Sequence, residues 1–265
     1  MRRVQLLEFE DLDWFPQSWR RMITEVLQFF SSRLNPYGPL VPRLKQVLDE
    51  LNCHHLIDLC SGGSGPLRLL LDQLENQEHY PVQATLTDKF PNLEAFRQAR
   101  AACPGKIHFS ESPVDAREVP SHLKGFRTLF ASFHHFPPEA AKQILQDAAR
   151  KNEGIGIFEF TDRSLALYLV MLTSPLFVWL VTPLIRPFSW QRLLWTYLIP
   201  VLPLLIIWDG MVSNFRTYSP VELKRLVQDI RCDHYQWEIG KTRSRGGYRI
   251  TYLFGYPVEA SVGRL

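Results

Sequence analysis

Cysteine is scarce in these 265 residues: four, at positions 53, 60, 103 and 232, with no zinc-type spacing and no dense framework. That excludes a disulfide-stapled scaffold and points to a reducing compartment. A surplus of one charge is missing too. The 30 Lys and Arg are nearly balanced by 27 Asp and Glu, so the footprint of a nucleic-acid binder is absent. The first residues carry Arg2 and Arg3 but then acids, without a long apolar run, which does not read as a secretory signal. Neither an internal repeat nor a low-complexity tract occurs. The length suits one α/β domain with an embellishment.

Glycine is also sparse, yet Gly62, Gly63 and Gly65 cluster in the stretch 54–66, HHLIDLCSGGSGP. Leu56, Ile57 and Leu59 predict a buried strand, the glycines a turn, and Pro66 a helix start, where a missing N–H costs nothing. Glycines permit positive φ and close approach to bare backbone. Free amides at the helix start and the Asp58 carboxylate can then face one polar ligand. An ordinary strand–helix turn does not need so many special residues together. The dinucleotide pattern G-x-G-x-x-G fails, because after Gly63 and Gly65 the third glycine position is Arg68. A nucleotide-dependent oxidoreductase is therefore disfavoured.

The stretch instead resembles motif I of the class I S-adenosylmethionine-dependent methyltransferases, D-x-G-x-G-x-G. Asp58 holds the acidic position and Gly62 the middle glycine; Cys60 and Ser64 replace the first and third, and Gly65 follows. The resemblance implies an α/β, Rossmann-like sheet of seven mostly parallel strands, the last antiparallel, with helices on both faces. It also implies S-adenosyl-L-methionine as cofactor, held by Asp58, Cys60, Gly62, Gly63 and Gly65. Further motifs follow in order. Strand 82–87 ends in Asp88, the implied acceptor for ribose hydroxyls; read alone, Asp88 or Asn92 could equally cap a helix. After strand 107–110, Asp115 and Ala116 resemble the pair that meets adenine. Strand 126–133 leads to Ser132, a further cofactor candidate, and to His134 and His135. Either histidine could be a general base; both could be structural. Strand 154–160 carries Glu159 towards the pocket. Ser219 and Glu222 form a capping box, and 234–239 and 247–254 predict a hairpin joined by 240–246.

Before motif I, helical spacing over 18–34 and 41–51 flanks a break at 35–39. Such helices often cover the site in this family, which would bring Tyr37 near it; packing under a turn is the alternative. Between strand five and the closing helix the chain departs from the family plan. Residues 164–185 carry no charge, nor do 193–208, and 186–192 joins them. As helices they would span about 33 Å and about 24 Å, against a bilayer core of about 30 Å. Pro175, Pro183, Pro200 and Pro203 interrupt both. Two crossings would translocate Arg186 and Arg192, against the positive-inside tendency. This favours a hairpin lying in one leaflet with Arg186 and Arg192 near headgroups; a lid buried in the chain or a homodimer, or true spanning, stays open. The expected organisation is a helical cap over 1–52, a core over 53–162 and 213–265, and an apolar lid over 163–212. The expected function is methyl transfer to a lipophilic or amphiphilic acceptor, with Tyr37, Glu159, Trp179 and Trp195 near that acceptor and no metal. The protein would be cytoplasmic, peripheral or monotopic at a membrane. The alternative is an inactive, membrane-associated scaffold or sensor that retains cofactor binding.

Overall fold

The computed structural model describes residues 2–244 and 246–258. Short apolar runs become strands β1 (His55–Asp58), β2 (Gln83–Leu86), β3 (Ile107–Phe109), β4 (Phe126–Phe130), β5 (Ile155–Glu159), β6 (Tyr235–Arg243) and β7 (Arg249–Pro257). Amphipathic or mainly apolar stretches become α1 (Gln17–Leu34), α2 (Val41–Glu50), α3 (Leu67–Asn76), α4 (Leu93–Ala102), α5 (Pro138–Arg150), α6 (Leu165–Leu172), α7 (Ser174–Val181), α8 (Trp190–Leu193), α9 (Val201–Arg216) and α10 (Pro220–Gln228). The strands form one sheet in the order β3-β2-β1-β4-β5-β7-β6. Neighbours from β1 to β5 pair in parallel, and β7 runs antiparallel to both β5 and β6. This is the α/β sheet expected from the sequence.

Alternation along the strands supplies two cores. Leu56, Ala84, Phe126, Phe158 and Phe254 face α2, α3 and α4. Ile57, Leu129, Ile157 and Leu253 face α5 and α10. A parallel sheet must be covered on both faces, and this one is. Two boundaries differ from expectation. β4 stops at Phe130, because Ala131 turns the backbone to φ 47°. β6 continues through Gly240 to Arg243, paired with Arg249, so the hairpin connection is shorter than 240–246.

A third core joins α1 to the apolar segment: Met22, Ile23 and Val26 pack with Val178, Ile185, Leu202 and Leu205. The first 52 residues are thus divided, α1 going with the apolar helices and α2 with the sheet. The apolar segment does not end at 212, since α9 runs on to Arg216. Its helices are broken near the prolines, by 46° between α6 and α7 and by 82° before α9; among the described residues no single helix is long and apolar enough to cross a membrane. Arg192 turns inward. It is buried, donates to the Ile185 and Pro187 carbonyls at 2.8 Å each, and forms an ion pair with Glu25 of α1.

Candidate active site

The glycine turn follows β1 directly. Positions 60, 62 and 64, the three glycine places of D-x-G-x-G-x-G, all lie in the left-handed region, with φ 57° at Cys60, 54° at Gly62 and 69° at Ser64. At Cys60 and Ser64, which carry a Cβ, that conformation costs roughly 1–2 kcal/mol each. Gly63 has no room for a side chain: a Cβ there would lie 2.8 Å from Thr24 Cγ2 and 3.1 Å from Gln28 Oε1. Helix α1 therefore rests on the bare face of the turn. Gln28 Nε2 donates to Ser64 Oγ at 3.2 Å. A gap of about 20 Å³ remains beside Gly63, Thr24, Asn92 and Pro187, room for about one water molecule.

Asp58 closes β1 and is buried; its carboxylate accepts from the Thr128 hydroxyl at 2.7 Å. Burial pushes its pKa up to about 7, against the hydrogen bonds from Thr128 and Ser61. Asp88, just beyond β2, accepts from Gly62 N and from Phe90 N, both at 2.8 Å. It ties the glycine turn to the second strand. The helix cap is Asn92, whose side chain accepts from Ala95 N. Beyond β3, Val114 N donates to the Asp88 carbonyl, and Ala116 is buried behind it. The Asp115 carboxylate is held by Arg117 Nε and Nη2, which lowers its pKa. Both residues line a cavity of about 390 Å³ with Gln143, Asp147 and Arg150, and none of residues 58–65 borders it. At the end of β4, Ser132 is buried with its hydroxyl unpartnered. The Tyr37 ring packs on Phe130, 5.1 Å between centroids, and its buried hydroxyl also lacks a partner. Burial, with Glu159 and Asp58 nearby, raises the Tyr37 pKa.

Beside these residues lies a buried ionic cluster. Glu159 accepts from Phe133 N and His134 Nδ1 at 2.7 Å, from His134 N at 3.2 Å and from the Thr161 hydroxyl at 3.1 Å. Those bonds assign the proton of His134 to Nδ1. Its Nε2 is sealed from solvent without a partner, 4.0 Å from Glu8 Oε1. His135 Nδ1 lies 2.8 Å from both Glu8 Oε2 and Asp11 Oδ1. Burial opposes the His135 charge, but the two carboxylates hold its pKa well above the usual value. Arg216 pairs with Asp11 at 2.5 Å and with Glu8 at 3.4 Å. Both candidate bases are thus held by carboxylates: Glu159 accepts from His134 Nδ1, and Glu8 and Asp11 flank His135 Nδ1.

The fold thus gathers Asp58, Cys60, Gly62, Gly63, Gly65, Asp88, Ser132, Glu159 and Tyr37 around the carboxyl ends of the parallel strands. Trp179 and Trp195 are not among them: Trp179 is exposed on α7, and Trp195 packs on Trp19 with centroids 4.6 Å apart. Sequence reasoning missed Glu8, Asp11 and Arg216. The one signal for Glu8 and Asp11 was an acid-rich lead-in, EFEDLD at 8–13, next to an aromatic run; Arg216 had none.

No family model matches the chain, and no curated protein does. Solved structures are similar in fold. The CMeT domain of the citrinin polyketide synthase superposes with a TM-score of 0.52 at 13% identity, covering 96% of this chain and 60% of that one. An O-methyltransferase from neocarzinostatin biosynthesis, in complex with S-adenosylmethionine and 2-hydroxy-5-methyl naphthoic acid, gives 0.50 at 14%, covering 87% and 56%. An O-methyltransferase family protein from Burkholderia thailandensis gives 0.48 at 16%, covering 85% and 57%. The chain spans less than two thirds of each of these proteins.

Proposed function

Because the chain has the fold of the class I methyltransferases, we propose that it moves the methyl group of S-adenosylmethionine onto an apolar or amphiphilic small molecule at a membrane surface. The observation that carries this reading is the convergence of Asp58, the left-handed turn, Asp88 and Ser132 where parallel α/β sheets take their ligands. The donor set fits the cofactor. Two of the roughly four acceptor positions on the Asp88 carboxylate are used within the chain; the others would hold ribose hydroxyls. The unpartnered hydroxyls of Ser132 and Tyr37 would bond further polar atoms of cofactor or acceptor. S-adenosylmethionine, when bound, supplies an electrophilic methyl on a sulfonium sulfur. The chain's own part is to position the acceptor in line and exclude water. Thr24 and Gln28 cover the bare face of Gly63, so admission requires α1 to draw back from the turn.

Exposed apolar side chains on the helices after β5 support the membrane part of the reading. Leu165, Leu180, Trp190, Leu198 and Leu204 are all more than half exposed, Trp190 by 77%. A patch of this kind belongs against lipid or another protein surface. We read it as attachment within one leaflet from the cytoplasmic side, with Trp179 and Trp190 at the interface. Arg192 and Glu25 link these helices to α1, which couples attachment to opening of the turn. A second copy of the chain is the rival occupant. The closure of α1 over the turn favours one other reading, a scaffold that binds the cofactor without turnover. Calorimetry with S-adenosylmethionine tests the site: Asp88→Ala should weaken binding by about 1.5–3 kcal/mol, and unchanged affinity in a folded variant sinks the assignment. Incubation with radiolabelled methyl donor and lipid extract tests turnover; binding without any labelled product selects the scaffold.

A further inference from the structure

We propose that Glu8, His134 and His135 form a binding site for one divalent transition-metal ion, independent of the methyl-transfer reading. One donor atom from each lies within 4.8 Å of the other two. The decisive observation is a buried nitrogen without a partner. His134 Nε2 is buried, unpartnered and 4.0 Å from Glu8 Oε1. Glu8 Oε1 accepts from Ser213 Oγ at 3.1 Å and keeps a further acceptor position, so a cation between the two atoms would give Nε2 the partner it lacks. The two imidazoles stack with centroids 4.4 Å apart and rings inclined by 29°, which turns His134 Nε2 and His135 Nδ1 to the same carboxylate. Behind the first, Glu159 accepts from His134 Nδ1 at 2.7 Å. A carboxylate fixing the far nitrogen of a ligating histidine is the usual outer support of such sites.

The donor set selects the ion. Two imidazole nitrogens and one carboxylate oxygen suit Zn²⁺, Co²⁺ or Fe²⁺ rather than Ca²⁺ or Mg²⁺, which prefer oxygen. Asp11 Oδ1, 2.8 Å from His135 Nδ1, is in reach as a fourth ligand. Ligation through His135 Nδ1 sends its proton to solvent. Arg216 lies 3.4 Å from Glu8 Oε1, but the surroundings remain anionic. Three carboxylates, Glu8, Asp11 and Glu159, gather here against the single guanidinium of Arg216, a surplus of negative charge that favours a dication. The ion would fasten the lead-in that carries Glu8 to the end of β4, over the strand ends where the candidate site lies.

The full chain, stripped with a chelator, is titrated with Co²⁺ and followed by its visible absorption, then challenged with Zn²⁺. One equivalent should bind in the micromolar range or tighter, be displaced by Zn²⁺, and raise the thermal midpoint by mass action. Glu8→Gln and His134→Gln should each abolish saturable binding. Glu159→Gln should weaken it by about 10–100-fold through loss of the orienting bond. His54→Gln, at an exposed imidazole, should leave it unchanged. Wild-type protein that takes up no Co²⁺, or binding that survives His134→Gln, overturns the proposal. If Glu8→Gln does not fold, the wild-type titration and His134→Gln still decide.

Discussion

Replacement of Glu159 by glutamine has a calculable outcome. One carboxylate oxygen serves two backbone amides, Phe133 N at 2.7 Å and His134 N at 3.2 Å. The other serves His134 Nδ1 at 2.7 Å and the Thr161 hydroxyl at 3.1 Å. Glutamine keeps the shape but turns one acceptor into a donor. The backbone amides cannot adapt, so the new carbonyl must stay with them. The new NH₂ then faces Thr161, which can rotate, and His134, which can shift its proton from Nδ1 to Nε2. We expect that tautomer switch, with the Nε2–H turned towards Glu8. Charge-assisted bonds become neutral ones, a loss of about 1.5–3 kcal/mol. For a chain of this size that lowers Tm by roughly 3–12 °C. Burial alone would raise the Glu159 pKa, but His134 and its bonds hold it below the ordinary 4.5. A depressed carboxyl contributes stability above its unfolded pKa and loses it as pH falls through the folded value. The gap between wild type and Glu159→Gln should therefore be full at pH 7 and narrow below pH 4.5. Urea denaturation across pH and ¹⁵N shifts of the His134 ring check both points. A variant that costs less than about 0.5 kcal/mol, or one whose His134 keeps its proton on Nδ1, refutes the reasoning.

Three further outcomes are expected. Asp58, raised to about 7 from 3.8, contributes stability that is complete below pH 3.8 and is lost as pH rises through about 7. Asp58→Asn should remove that decline, worth at most about 4 kcal/mol, and a wild-type-to-variant difference that does not change between acid and neutral pH would contradict it. Arg192→Met leaves Glu25 with only Arg21, 3.9 Å away, and strips the donor from two carbonyls, so it should cost about 3–5 kcal/mol in urea unfolding; the double variant with Glu25→Gln should recover part, and a cost below about 1 kcal/mol would mean the pair is not buried in solution. Trp179→Glu combined with Trp190→Glu should abolish co-sedimentation with anionic vesicles while calorimetric affinity for S-adenosylmethionine holds. Wild-type protein that is monomeric and ignores vesicles ends the membrane reading.

The sheet and the nucleus of the site were legible because their signals are local. A strand, its terminal acid and the next helix lie within a dozen residues, and each such unit repeats the same arrangement. Left-handed backbone at Cys60 and Ser64 was half hidden, since the residue types that announce it are absent. The ionic cluster was not legible. His135 meets Asp11 across 124 positions and Arg216 meets it across 205, and no periodicity records contacts so remote. Hydropathy likewise marked the apolar segment but could not show that Arg192 turns inward to Glu25, because a buried arginine and an exposed one have the same composition.

The place of β7 between β5 and β6 bears on how the chain is made. Ile155 must find Gly255, about a hundred residues later, so one edge of β5 stays open until the last strand is synthesised. Non-local pairing of this kind is slow, and open edges invite wrong partners. Over the same interval α6 to α9 are already translated, and the apolar side chains that α1 does not cover stand exposed. From the end of α9 at Arg216 to the end of β7 at Pro257, translation at about 5–20 residues per second takes roughly 2–8 s. During those seconds an unfinished sheet and a sticky set of helices coexist on one nascent chain. The yield of folded protein is decided then, and lipid or a chaperone supplied during translation should raise it where the same addition after release does not.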